Sequence, residues 1–482
     1  MGRDFAVFLN GTGKNKRRSG IFLCGMRLYT GAGGWYNNPQ NGCAMGEKAA
    51  VGEKLEEKAK SAGVSLLTFF KWVLVAVAVG LLVGGVGTLF SYAVQGATQL
   101  RTQFPWLLYL LPAAGLVIVL LYRACRVPEP KGTDLVITAV RSRERIPFRM
   151  APLIFISTVL THLCGGSAGR EGAALQLGGS LGHWMSRVLR IQDHPARHVF
   201  IMCGMSAAFS ALFGTPLAAT VFALELVSVG VMYYMALVPC AISAVVAVGV
   251  ARLCGVQAEQ FTIEVFPALT VANGLRAVLL AVLCAGLSIV MCLCLHQAGK
   301  LYHKAFRNAY LRVAVGGGLV IALTLLVGSR DYLGAGMDVI AAAVEQGHAL
   351  PWAFALKLLF TAVTLGAGFK GGEIVPTFFV GATFGCWMGG LLGLPPGFAA
   401  ALGMAALFCG VTNCPMTTLM LAFELFSFQD AAFFLIVVAV SYMLSGYSSL
   451  YSSQKVVYSK LQATLLQREA EPEAEREETK VK

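Results

Sequence analysis

What the chain most conspicuously lacks is charge. Asp, Glu, Lys and Arg make up 13% of its 482 residues, against roughly 25% in a soluble domain. Hydrophobic residues make up 56%, and the mean hydropathy is +0.68. Such a chain cannot cover its surface for water, so a soluble fold is excluded and a polytopic membrane protein is expected. Paired cysteines are also missing. The 13 cysteines lie mostly in apolar segments without a CxxC pair, Cys292-Leu-Cys294 being the tightest spacing, and read as small hydrophobes. No HExxH, no Cys/His cluster, no phosphate loop ending in Gly-Lys-Ser/Thr and no nucleophile elbow occurs. Enzyme chemistry, a bound metal and a tightly held cofactor therefore have no support. The net charge of +13 does not mark a nucleic-acid surface, because it sits in short connections: seven basic residues from Arg123 to Arg149, three from Arg187 to Arg197, four from Lys300 to Arg312. That is the bias of cytoplasmic loops in a bilayer protein.

Regular, unbroken spans of about 20 apolar residues are scarce too. Apolar runs recur from 66–98 to 431–449, but many are interrupted by one of the 54 glycines or 17 prolines. Short, broken spans point to half-helices that end inside the membrane. Residues 1–64 have no apolar region and cleavage site of signal-peptide form; they are expected to be an unstructured extension or a translation-start artefact, with Met45 as an alternative start. Residues 460–482, rich in Glu, Lys and Arg, are expected to form a short, fraying, solvated helix.

What is present is a glycine-rich loop around an acid, Gly165-Gly166-Ser167-Ala168-Gly169-Arg170-Glu171-Gly172. Its glycines permit sharp turns and expose backbone N–H groups, and the helix that follows directs its positive end back at the loop. That is an anion site, and an acid within it both competes with a bound anion and carries a proton. Shifting the chain by 203 residues superimposes Thr161, Gly165, Gly169, Gly178, Gly182 and Trp184 on Thr364, Gly368, Gly372, Gly381, Gly385 and Trp387. Further blocks align Gly132-Thr133-Asp134 with Gly336-Met337-Asp338, and Pro216 and Glu225 with Pro415 and Glu424. The chain is thus an internal duplication, with halves at 65–260 and 261–459, and the site is expected to be built from both.

These residues resemble the CLC family of chloride channels and proton-coupled anion exchangers over roughly residues 66–462. The resemblance rests on Gly169-Arg170-Glu171-Gly172 with Gln176 and Gly178, on Gly371-Gly372-Glu373-Ile374-Val375-Pro376, and on Tyr458 in Lys455-Val456-Val457-Tyr458-Ser459. It implies an all-α polytopic fold of the CLC type, an inverted repeat of broken helices, acting as a homodimer. It also implies that Glu171 is the external gate, that Tyr458 is the tyrosine whose hydroxyl meets the anion, and that Gly132 to Val136 is the first anion loop. In that loop the family's serine is replaced by Thr133. Leu226 stands where proton-coupled chloride exchangers have an internal relay glutamate, and Glu373 puts a carboxylate into the second-half loop. This combination resembles the fluoride/proton antiporter branch, CLC-F, although Thr133 is not itself diagnostic of it. The expected function is fluoride export against protons across a bacterial inner (cytoplasmic) membrane, the alternative being a chloride channel or chloride/proton exchanger.

Fluoride is small and strongly hydrated, so its site needs several short, strong donors. The candidate anion ligands are Gly132, Thr133, Gly169, Arg170, Gly172, Gly372, Ile374, Val375 and Tyr458. Glu171 and Glu373 are the gating and proton-transfer candidates, while Arg170 reads better as a loop-orienting residue and Glu373 has a pair with Lys370 as its alternative. Phe378 and Phe379 are expected on the pore wall by their positive ring edges, with helix core packing as the competing reading. Glu225 and Glu424, duplicated, are expected to share a structural task as hydrogen-bond acceptors; Asp134 and Asp338 are expected to cap helices. His162 is expected to be a satisfied helix histidine.

Overall fold

In the computed structural model, residues 40–127, 132–142, 144, 146–191, 193–427, 430–460 and 465–469 are described, the side chains of 40–65 and 465–469 excepted. Two compact units are separated, Met1–Leu66 and Leu67–Lys482. In the first, the backbone from Gln40 onward is helical. That differs from the unstructured extension expected for 1–64: the Ala-, Glu- and Lys-rich sequence of 46–62 consists largely of strong helix formers. Residues 1–39 lie outside the described set.

The described chain forms sixteen α-helices in two series of eight that correspond in order. The first comprises α1 (Gln40–Gln103), α2 (Leu111–Ala124), α3 (Asp134–Arg141), α4 (Met150–Leu163), α5 (Glu171–Val188), α6 (His194–Phe213), α7 (Pro216–Glu225) and α8 (Leu237–Leu253). The second comprises α9 (Val271–Ala305), α10 (Ala309–Val327), α11 (Met337–Glu345), α12 (Ala353–Ala367), α13 (Ile374–Leu392), α14 (Pro396–Thr412), α15 (Pro415–Phe426) and α16 (Ala431–Leu444). Seven helical stretches among the described residues are long and apolar enough to cross a membrane. The outer ones display large apolar side chains, Leu74 71%, Val271 83% and Leu326 81% exposed, as expected of faces that meet lipid or a second apolar surface.

Helix pair α5/α6 recurs as α13/α14, and the duplicated glycines explain how. A Cβ at Gly178 would collide with the Gly204 carbonyl oxygen, and one at Gly385 with that of Ala399. Glycine there brings two helix backbones into direct contact. The two halves are then tied end to end. Glu225, closing α7, accepts from the N–H groups of Met416 (3.1 Å) and Thr417 (2.8 Å) and from the Thr417 hydroxyl (2.6 Å), at the start of α15. Glu424, on α15, accepts from Leu217 (2.9 Å) and Ala218 (2.8 Å) at the start of α7. Each carboxylate caps the other half's helix, where four N–H groups have no intrahelical partner and the helix dipole favours negative charge. The shared acceptor role expected for the pair is this reciprocal cap.

Three short strands close the C-terminal end: β1 (Ser228–Val229) pairs parallel with β2 (Lys455–Tyr458), which pairs antiparallel with β3 (Leu465–Glu469). The solvated helix expected over 460–482 is therefore a strand over its described part. The alternation Lys455-Val456-Val457-Tyr458 buries Val456 against β1, and a neighbouring strand takes up the ladder. Residues 470–482 lie outside the described set.

Removing the caps should destabilise in a fixed order. Glu225→Ala orphans three buried or half-buried donors and is expected to cost about 3 kcal/mol or more, whereas Glu424→Ala, with two donors at a more open site, costs about half as much. Thermal unfolding in detergent reads the order; equal, negligible losses would contradict the capping role.

Candidate functional site

The site is built where the two glycine loops meet. Gly169 N–H donates to the Gly372 carbonyl and Gly372 N–H to the Gly169 carbonyl, both at 2.7 Å, forming an isolated antiparallel bridge between repeat-equivalent residues. No side chain fits at either position. A Cβ on Gly169 would strike Glu171 Oε2, and one on Gly372 would lie 2.6 Å from Gly172 N and 2.9 Å from Glu171 N. The bridge brings the N-termini of α5 and α13 together, and a second link, from Ser167 N to Thr364 Oγ1 at 3.1 Å, braces the loops from behind.

Glu171, the first residue of α5, lies between those N-termini and is wholly buried. Its Oε2 accepts from Arg170 N at 2.9 Å, in its own loop, and from Val375 N at 3.4 Å, in the other half. Its Oε1 has no hydrogen-bond partner; the Arg170 Nε stands 3.9 Å away. The carboxylate thus occupies an anion position made by backbone of both repeats and two helix dipoles. The same donors would hold a free anion once the side chain left. Arg170 itself points elsewhere, to Glu259 (2.8 Å) and Ser91 Oγ (3.3 Å), in keeping with a loop-orienting role. Beside Glu171 opens a cavity of about 480 Å³ whose wall includes Arg101, Arg170, Glu259, Asp338 and Val375.

On the other side of α5's start lies the first-half loop. Gly132 takes φ +61° and Thr133 directs its hydroxyl to the Gly172 carbonyl at 3.4 Å. Thr133 is therefore adjacent to the Gly169–Gly172 segment, as expected. Asp134 does not cap α3: its carboxylate takes Ser452 Oγ (2.6 Å) and Ser453 N (3.1 Å), and Arg141 at the far end of α3 donates to the Ser453 carbonyl. These contacts, with Leu450 N on the Val411 carbonyl (2.9 Å), clamp the segment that follows α16. Asp338 does not cap α11 either. Gly336 holds the N-cap position without a side-chain bond, and Asp338 lies on the cavity wall.

The clamped segment carries Tyr451, a residue the sequence reading passed over. Tyr451 is 2% exposed, its hydroxyl has no hydrogen-bond partner, and Glu171, Glu373 and Asp134 lie within electrostatic range of it. A buried phenol O–H without a partner beside an anion position is a donor in waiting. Tyr458, expected in that place, sits on β2 with 51% of its surface exposed. By period Val456 and Tyr458 share a face, but the pairing of β2 with β3 shifts register between them and leaves Tyr458 exposed at the end of the strand, while Tyr451 in the Ser-rich run before it is buried. The signal available in sequence was that run, directly after the last apolar helix.

Glu373 holds the N-cap position of α13, half-buried, with its carbonyl accepting from Thr377 N (3.0 Å) and Oγ1 (2.8 Å); Asp134 and Cys292 are its electrostatic neighbours. Lys370 places its ammonium 5.4 Å from the centre of the Tyr122 ring. Ile374 is buried at the start of α13. Phe378 packs between Phe213 and Phe408, and Phe379 between Tyr332 and Lys357; neither lines the cavity beside Glu171. Lys357 was also unforeseen: fully buried in α12, it donates to the carbonyls of Tyr332 (3.2 Å) and Gly334 (2.6 Å). At position 226 the leucine is buried, and its carbonyl accepts from Gln454 Nε2 at 3.1 Å.

Residues 114–446 match the voltage gated chloride channel family. The chain belongs to that family. A chloride/fluoride channel protein of Pseudomonas syringae pv. tomato is 37% identical over 399 residues, covering 81% of this chain and 87% of that protein. The H(+)/Cl(-) exchange transporter ClcA of Vibrio cholerae is 26% identical over 385 residues, covering 74% and 82%. Among solved structures, a CLC-type fluoride/proton antiporter matches with a TM-score of 0.78 at 31% identity, covering 80% of this chain and 98% of that one. A slow cyanobacterial Cl-/H+ antiporter shares the fold, with a TM-score of 0.69 at 19% identity. The CLC resemblance read from the sequence thus holds, and family membership makes this a multi-pass membrane protein.

The two tyrosines make opposite predictions. Tyr451→Phe should weaken anion affinity roughly tenfold, one charge-assisted hydrogen bond, while Tyr458→Phe leaves it unchanged. Fluoride titration calorimetry on the purified variants measures both, and a loss in Tyr458→Phe alone would contradict the placement.

Proposed function

We propose that this chain exports fluoride in exchange for protons across a bacterial inner membrane, as a homodimer with one pathway in each subunit and with no enzymatic activity. The observation that carries the reading is the Glu171 carboxylate, held in an anion position by backbone N–H groups of both repeats. An ionised carboxylate there excludes an anion; a protonated one has lost the charge that the helix ends attract and can leave. One site then admits either an anion or the carboxylate, which is the condition for exchange.

Fluoride is favoured over chloride by three departures from the chloride-exchanger pattern: Thr133 in the first loop, Leu226 at the internal relay position and Glu373 in the second loop. The identities run the same way, 37% to a chloride/fluoride channel protein and 31% to a fluoride/proton antiporter against 26% to a chloride exchanger. Stripping water from fluoride requires strong donors at short range. The N–H groups of Arg170 and Val375, which hold the Glu171 carboxylate, and the Tyr451 hydroxyl are of that kind. Inward proton flow supplies the energy for export. Glu373, near Asp134 and Tyr451, is the second proton-transfer candidate. Chloride/proton exchange by the same geometry is the second reading, supported by the ClcA relatives.

Proteoliposomes loaded with fluoride or chloride separate the two. Fluoride should leave in clear preference to chloride, with proton uptake into the vesicle, and Glu171→Gln should abolish the proton uptake in a still-folded protein. Chloride efflux equal to that of fluoride would overturn the fluoride reading; unchanged proton uptake in Glu171→Gln would overturn the role of the glutamate.

A further inference from the structure

His162, near the end of α4, lines the same cavity as Glu171 and is 1% exposed. Its Nδ1 lies 2.9 Å from the Thr158 carbonyl, an acceptor, so Nδ1 carries the hydrogen. In the neutral ring Nε2 is then a bare lone pair, and it has no partner. Arg101 of α1 donates to the His162 carbonyl at 3.3 Å, and Arg170 and the buried Lys357 of α12 also act on the ring. Across the cavity, Arg330 neighbours Asp331, and Asp338 acts on Arg101; neither acid reaches the imidazole among its electrostatic neighbours.

Among the described residues, two buried polar side-chain atoms lining this cavity therefore lack a hydrogen-bond partner, His162 Nε2 and Glu171 Oε1. With Glu171 ionised both are acceptors and cannot hydrogen-bond to each other. With Glu171 protonated one becomes a donor, and O–H···N is a matched pair. We propose that His162 Nε2 receives the hydrogen bond of the protonated Glu171 carboxyl when that side chain swings into the cavity, so that the imidazole is a docking acceptor for the proton-loaded gate. The proton stays on the carboxyl; His162 positions it and distinguishes the two protonation states. The proposal rests on Glu171 being the proton carrier.

The test uses purified protein in proteoliposomes. His162→Asn keeps an N–H for the Thr158 carbonyl but removes the acceptor at Nε2, whereas His162→Gln returns an oxygen near that place. Losing a hydrogen bond to the protonated form makes proton loading harder, so the external-pH profile of coupled fluoride efflux in His162→Asn should move to lower pH by about 0.7 units, a roughly fivefold effect. His162→Gln should restore most of the shift. An unshifted His162→Asn profile, or equal shifts in both variants, overturns the proposal. If the Asn variant does not fold, infrared spectroscopy of the wild type decides: the carboxylic C=O stretch that vanishes in Glu171→Gln should lie in the hydrogen-bonded range, and a free frequency overturns the docking. Retained proton coupling in Glu171→Gln would instead fail the underlying reading of Glu171.

Discussion

The rest of this site depends on one pair of hydrogen bonds, those between the backbones of Gly169 and Gly372. They fix the ends of α5 and α13 close enough for a single carboxylate to take N–H groups from both halves. The pair works only because neither residue carries a Cβ, since the space beside Gly169 is taken by Glu171 Oε2 and that beside Gly372 by backbone of the opposite helix. The result is an anion position made chiefly of backbone N–H groups and helix ends, with the Arg170 Nε 3.9 Å from Glu171 Oε1. Arg170, the nearest guanidinium, is engaged by Glu259.

The halves are joined repeatedly by the same device, polar groups of one repeat satisfying the helix ends of the other. Glu225 and Glu424 exchange caps between α7 and α15. Asp134 and Arg141, at the two ends of α3, hold the segment that presents Tyr451. An intramembrane carboxylate is costly without partners, and these carboxylates each have two or more. Such links make the site a property of the duplicated molecule, since neither repeat contains it alone.

Much of this was legible in the sequence because it is local or repeated. The glycine loop around Glu171 carries its chemistry in consecutive residues, and the 203-residue shift identifies Gly372 as its counterpart. The shared role of Glu225 and Glu424 followed from their duplication. What failed was long-range. Asp134 obeys the local pattern of a helix cap, yet its partners lie 318 and 319 residues away. Tyr451 stands in a Ser-rich run and Tyr458 after two valines, and neither context says which of them is buried. The tail past Lys460 has the composition of a solvated helix, but β2 offers it a ladder. Lys357, one charge in an apolar helix, gave no hint that two carbonyls of a turn would receive it.

Taken together, the geometry describes a site in which a carboxylate and an anion exclude one another, and a proton decides between them. Calorimetric measurement of fluoride binding as a function of pH tests that claim most directly. Protonation should vacate the position, so wild-type affinity should strengthen as pH falls, while Glu171→Gln binds with an affinity that does not change with pH. Wild-type affinity indifferent to pH, or a Glu171→Gln variant that keeps the wild-type dependence, would contradict the account.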